Sequence, residues 1–161
     1  MFRIHADSPA DAVEEAFFRI RRKSMADVPV HNDALSVEAV DFQRWQGHWL
    51  GILVTSWHMS VVLVPGDKEG WQSVSDNQRR FVEFPAGTFP FLGSEEPEIG
   101  EFQTCALFAG MGQFVSQSDA VLAARASLLA LLTPRDAAVP AEKAKDADQP
   151  SMSRRRLFGL K

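Results

Sequence analysis

Two short runs, HWLGILVT at residues 48–55 and MSVVLV at 59–64, constrain this chain more than any other feature. Both are rich in β-branched residues, and neither alternates polar with apolar as a strand with one wet face does. A strand that is apolar on both sides must be covered on both sides. The fold that accepts such a pair is a sheet with material packed over each face. Thr55-Ser56-Trp57-His58 joins the two runs. That is too little chain for a crossover helix, so the pair is expected to be an antiparallel hairpin. Pro65-Gly66-Asp67 then forces a turn.

The covering layers are sought on either side of this hairpin. Residues 9–25 read as a helix: Ser8 is placed to cap it and Pro9 suits its first position. Asp11, Glu14 and Glu15 complement the N-terminal dipole, and Arg19, Arg21, Arg22 and Lys23 the C-terminal one. Val13, Ala16, Phe17 and Ile20 fall on one face. A second helix is expected over 118–132, with Val121, Leu128, Leu129 and Leu132 as its apolar stripe and Pro134 as its stop.

Further strands are read in RRFVEF, TFPFL and EFQTCALFA, separated by Pro85-Ala86-Gly87 and by the acidic loop GSEEPEIGE. Pro90 places TFPFL at an edge or a bulge. In the last strand Phe102, Thr104, Ala106 and Phe108 share one face, and Gln103, Cys105 and Leu107 the other. The expected class is α+β: an N-terminal helix, a mostly antiparallel sheet of about five to six strands, and a C-terminal helix, in one domain over 1–133. Residues 134–150, rich in Pro, Ala and charge, read as a disordered linker to a basic and apolar tail at 151–161.

Composition excludes more chemistry than it suggests. The single cysteine, Cys105, allows no internal disulfide and no cysteine-cluster site. It lies in an apolar strand, where a free cysteine is commonly a small core residue. The chain has no GxSxG, P-loop or GxGxxG pattern, and His5, His31, His48 and His58 show no metal-binding spacing. A zinc or iron–sulfur role through Cys105 and a distant histidine is the alternative reading; no cofactor, and no enzymatic activity, is the expected one. No apolar run approaches the roughly 20 residues of a membrane span, and the first residues lack a secretory pattern. A cytoplasmic setting is expected.

Charge is uneven. The chain has 17 basic and 21 acidic residues. Residues 151–161 hold four of the cations and no acid, which leaves 13 basic and 21 acidic over 1–150, a body of −8 beside a tail of +4. Such a body suits a basic partner and not nucleic acid. Glu95, Glu96, Glu98 and Glu101 are the candidate docking carboxylates, since guanidinium groups engage carboxylates in pairs. Trp57 and Met59 either line a recognition groove or fold back over the sheet, and Cys105 joins them and the four carboxylates among the candidate partner-binding residues.

The tail, SMSRRRLFGLK, is close to a twin-arginine export pattern placed at the wrong end of a chain. Only Gly159, Leu160 and Lys161 follow Phe158, so there is no apolar segment to insert. A flexible linker of 17 residues spans roughly 20–25 Å. Arg154, Arg155, Arg156, Leu157 and Phe158 are thus expected to reach the body and compete there with a partner segment; a contact arm for the partner and a mobile solubilising tail are the alternative readings.

The block MADVPVHNDALSVEAVDFQRWQGHWLGILVTSWHMSVVLVPG, with FPAGTFPFLG, IGEFQTCALF and SRRRLFG after it, resembles the nickel–iron hydrogenase assembly chaperone family of the HybE/HupJ type. Asp27, Pro29, Leu35, Val37, Glu38, Phe42, Gly47, Gly51, Thr55, Trp57, Pro65, Gly66, Pro85, Gly87, Cys105 and Leu107 carry the resemblance. Arg154, Arg155, Leu157, Phe158 and Gly159 extend it into the tail. Ser56 stands where the family has proline, and Ala109-Gly110 where it tends to Ser-Pro. Some relatives add a rubredoxin module with paired cysteines, which this chain lacks. The resemblance implies a non-catalytic accessory protein. It would hold the hydrogenase small-subunit precursor with its twin-arginine signal until cofactors are in place, with the large subunit and other maturation factors as further implied partners.

Overall fold

The computed structural model describes residues 1–23 and 31–135. In chain order they form α1 (Ala10–Lys23), β1 (Glu38–Trp45), β2 (His48–Val54), β3 (Met59–Val64), β4 (Arg79–Phe84), β5 (Gly87–Glu96), β6 (Gly100–Phe108) and α2 (Gln117–Leu131). The strands make one six-stranded sheet of order β1-β2-β3-β6-β5-β4, and each ladder between neighbours is antiparallel. The expected linker, from residue 136 onward, the tail, and Asp27 and Pro29 lie outside the described residues.

The double-sided strands lie where their composition demands. All of β3 is buried, and all of β2 except Trp49. Their alternate residues enter two separate cores. Leu50, Ile52, Met59, Val61 and Leu63 pack with Ala120, Ala124, Leu128 and Leu131 of α2. Leu53, Val62 and Val64 pack with Val13, Ala16 and Phe17 of α1. One helix per face is the minimum that covers such a pair.

Each helix follows from its sequence with one correction. In α1 the expected stripe is the buried one, and Ser8 Oγ accepts from Ala10 N–H at 3.3 Å. In α2 the buried face is Ala120, Ala124, Leu128 and Leu131, while Leu129 stays exposed. Leu128 and Leu129 are neighbours in sequence and so stand about 100° apart on a helix of 3.6 residues per turn; they cannot share one face. The alanines let the helix approach the sheet closely. Ser116 caps it, accepting from Asp119 N–H at 3.2 Å.

β1 is the strand with no clear sequence signature. Its register against β2 shifts between Val40 and Gln43, with Asp41 at a φ of 54°. The bulge breaks the alternation that would have marked EAVDFQRW as a strand. It also turns the Phe42 ring over Gly51, where a Cβ would lie 2.3 Å from the ring. The proline of β5 has a local explanation. β5 sits inside the sheet, but its ladder with β6 begins only at Leu92, so Pro90 removes no hydrogen bond on that side.

The loop before β4 crosses the sheet at Gly93, which accepts from Asn77 N–H and donates to the Gln78 carbonyl. A Cβ on Gly93 would stand 2.4 Å from the Val74 carbonyl oxygen and 2.6 Å from that of Ser75. Both obstacles are main chain and cannot rotate away. Gly93→Ala should therefore destabilise the fold by about 1–3 kcal/mol. Gly110→Ala, with nothing within 4 Å of the added carbon, should stay within about 0.5 kcal/mol. Thermal unfolding of the two variants checks the contrast.

Candidate partner-binding surface

The β2–β3 turn is built around one hydroxyl. Thr55 Oγ1 accepts from the N–H groups of Trp57 (3.2 Å) and His58 (2.9 Å). It also lies 2.9 Å from the His58 carbonyl and 2.9 Å from His58 Nδ1. Thr55 N–H donates to the His58 carbonyl at 3.0 Å. A four-residue turn held at so many points has little freedom left, and Trp57 stands at its tip.

The indole of Trp57 is half-buried and packs against two imidazoles. His58 stacks on it with centroids 5.6 Å apart and planes at 21°, and His31 approaches at 5.6 Å and 53°. His31 Nδ1 is 2.6 Å from Ser56 Oγ, so Ser56 links the turn to the segment that precedes β1. Beneath, Phe17 of α1 meets His58 at 6.2 Å. Burial pushes the His58 imidazole down to about 4, so it is neutral at ordinary pH.

Met59 is fully buried in the α2-side core, as the first residue of β3. Of the pair singled out in the sequence, Trp57 alone reaches the surface. Thr55 and His31, which hold and flank the indole, carry no pattern that marks them; Thr55 is close to Trp57 in the chain, whereas His31 lies far from it and is brought there by the fold.

The four candidate carboxylates all have partners within the chain. Arg19 of α1 binds Glu98 through Nε (2.7 Å) and Nη2 (2.9 Å), and reaches Glu96 at 2.6 Å. Glu95 meets the Met1 amino group. Glu101 accepts from Trp71 Nε1 at 3.2 Å and from Ser73 Oγ at 2.8 Å. Arg19 thus makes the bidentate contact that the sequence reading reserved for arginines of a partner.

That contact has a pH signature. The hydrogen bonds from Arg19 hold the Glu98 carboxyl at about 2, below its ordinary 4.5. Stability from this pair is complete above the ordinary value and is lost as pH falls toward 2. Because both groups lie near the surface, screening keeps the effect small. Replacing Arg19 by Met should flatten the acid limb of the stability curve below pH 4.5, read by denaturant titration at successive pH values.

Cys105 lies on β6, partly buried against the α2-side core. Among the described residues no three His, Cys, Asp or Glu side chains are grouped to hold a metal ion. His48 is instead packed into the base of the 65–78 loop. Its Nδ1 accepts from Gly66 N–H at 3.1 Å, and its ring meets Trp71 edge-on at 5.2 Å. No helix of the described residues is long and apolar enough to cross a membrane.

Among the described residues the sheet also has an uncovered region. Val62, in the α1-side core, pairs with Thr104, Thr104 with Leu92, and Leu92 with Arg79. Arg79, Phe81 and Glu83 therefore face the α1 side. Yet α1 makes its main contacts with β1. Phe81 is left 64% exposed, Leu92 40%, and Pro90 and Ala106 are exposed beside them. The alternation in RRFVEF contained the signal, since Val82 and Phe84 inward leave Phe81 outward.

A family model described as NiFe-hydrogenase assembly, chaperone, HybE matches residues 8–160. The hydrogenase expression/formation protein HupJ of Bradyrhizobium diazoefficiens is 37% identical over 149 residues, spanning 92% of this chain and 86% of its own. The probable rubredoxin HupJ of Rhodobacter capsulatus is 35% identical over 125 residues, or 78% of this chain. The matched region is 45% of that longer relative. The solution structure of HybE from Escherichia coli superposes with a TM-score of 0.68 over 92% of this chain and 90% of that one. At 22% identity this is a likeness of fold.

Proposed function

This chain belongs to the NiFe-hydrogenase assembly chaperone family, and from that premise we propose that it holds the hydrogenase small-subunit precursor through its twin-arginine signal. It does so in the cytoplasm, by binding and not by catalysis, with the large subunit as a second client.

The observation that carries the reading is the presentation of Trp57. A large aromatic ring at a turn fixed by Thr55, and backed by two imidazoles, is ordered before any ligand arrives. Little side-chain entropy then remains to be lost on binding, which is the usual character of an anchoring residue. The signal's chemistry matches the site. A guanidinium is attracted to an indole face, its apolar residues find the adjoining α1-side core rim, and the −8 body draws a basic segment toward it.

The test is a titration of the purified protein with small-subunit precursor bearing its signal and with the same subunit lacking it. Saturable binding that weakens at least about tenfold without the signal supports the reading. Absence of binding to either form overturns it.

A further inference from the structure

Among the described residues β4 ends the sheet as an open edge, and its residues are complementary to themselves. The two edges of the sheet differ. β1 carries the bulge at Asp41 and Phe42, and both helices contact it. Bulges and covering elements are the usual means by which an edge is kept from pairing. β4 has no register shift against β5, and among the described residues β5 is its one neighbour in the sheet.

The direction of its free hydrogen-bonding groups follows from the β5 ladder. Gly93 N–H donates to the Gln78 carbonyl, so by the two-residue alternation of an antiparallel ladder 80, 82 and 84 turn their main-chain groups toward β5. Pro90, which has no N–H to give, accordingly stands opposite Phe81. Arg79, Phe81 and Glu83 then direct their N–H and C=O groups away from the sheet. Their side chains lie on the uncovered α1-side face, with Phe81 64% exposed at the centre.

We propose that this edge pairs with the same edge of a second copy, antiparallel and about a two-fold axis through Phe81. That register sets Phe81 beside Phe81 of the second copy. It sets Arg79 opposite Glu83 of the second copy, and Glu83 opposite its Arg79. All three are hydrogen-bonded pairs, so the outward main-chain groups of β4 are satisfied together. Charges that ordinarily guard an edge are here opposite in sign across the contact and pair instead. Leu92 and Pro90 flank Phe81 in each copy, and pairing joins the two exposed apolar strips into one. An isologous contact of this kind closes on itself and stops at the dimer.

The test is sedimentation velocity over a wide range of concentration, on the full chain and three variants. The native chain is expected to show a monomer–dimer equilibrium. Arg79→Glu sets carboxylates against carboxylates at both ends of the contact, and Glu83→Arg sets guanidinium groups against each other. Each alone should weaken dimerisation at least about tenfold. The double exchange Arg79→Glu with Glu83→Arg restores both pairs and should return the dissociation constant to the native value. Both positions are exposed, and matching thermal unfolding of dilute samples shows that the fold is retained.

A native chain that stays monomeric at all concentrations overturns the proposal. So does a double variant no better than the single ones. If the single variants lose binding of the hydrogenase precursor while the native chain remains monomeric, the edge serves that partner and not a second copy. Precursor binding through Trp57 stands or falls separately, since the turn at residues 55–58 is remote in the sheet order from β4.

Discussion

Replacing Trp57 by alanine is expected to weaken binding of the small-subunit precursor by about 30- to 1,000-fold, the equivalent of roughly 2–4 kcal/mol for an anchoring aromatic. Calorimetric titration of native and variant protein reads it directly. The effect on the fold should be smaller than the effect on binding. Trp57 is half-buried and lies outside the fully buried core, so the sheet keeps its two packed faces without it. Thr55→Val separates the ring from its placement. The indole remains, but Trp57 and His58 lose the oxygen that accepts their N–H groups. The ring is then present and no longer fixed, and an intermediate loss of affinity is expected, appearing mainly as faster dissociation. Equal affinities for native and Trp57→Ala protein would place the precursor elsewhere on the surface.

The fold was legible wherever burial decides the sequence, and obscure wherever local geometry does. HWLGILVT and MSVVLV demanded cover on both faces, and the two helices supply it. β1 escaped notice because its bulge at Asp41 destroys the period of two. The wrong stripe in α2 had a different cause. Leu129 is as apolar as Leu128, and hydrophobicity alone cannot show that Ala120 and Ala124 are the residues against the sheet. The candidate site divides in the same way. A tryptophan at a turn is visible in a sequence; a threonine hydroxyl that fixes it is not. Arg19 lies far in sequence from Glu96 and Glu98, and nothing local announces that a helix of the same chain will take the contact. The open edge at β4 was hidden for a further reason: strand order is a property of the whole sheet.

His58 gives the protein a second acid dependence, larger than that of Glu98 and in a different range. Its Nδ1 lies against Thr55 Oγ1 and its Nε2 is 3.5 Å from Ser60 Oγ, with Trp57 stacked on the ring and Phe17 beside it. None of these neighbours is anionic, so loss of water disfavours the charged imidazolium and burial brings the group down to about 4 from 6.5. An unfolded chain takes up a proton near 6.5 that the folded one refuses until about 4. Stability from the neutral ring is therefore complete above 6.5 and declines as pH falls between those values. A gap of that size corresponds to about 3 kcal/mol. The Glu98 contribution is lost only below 4.5, so the two limbs separate. His58→Asn should remove the upper limb and leave the lower one, at the expense of some stability near neutral pH from the lost stacking. Because the imidazole backs the indole, precursor binding should decline over the upper interval as well, and Trp57 fluorescence should report the turn loosening before global unfolding. A stability curve that keeps the same slope between pH 6.5 and 4 in His58→Asn would assign that acid sensitivity to another group and leave the support of Trp57 independent of protonation.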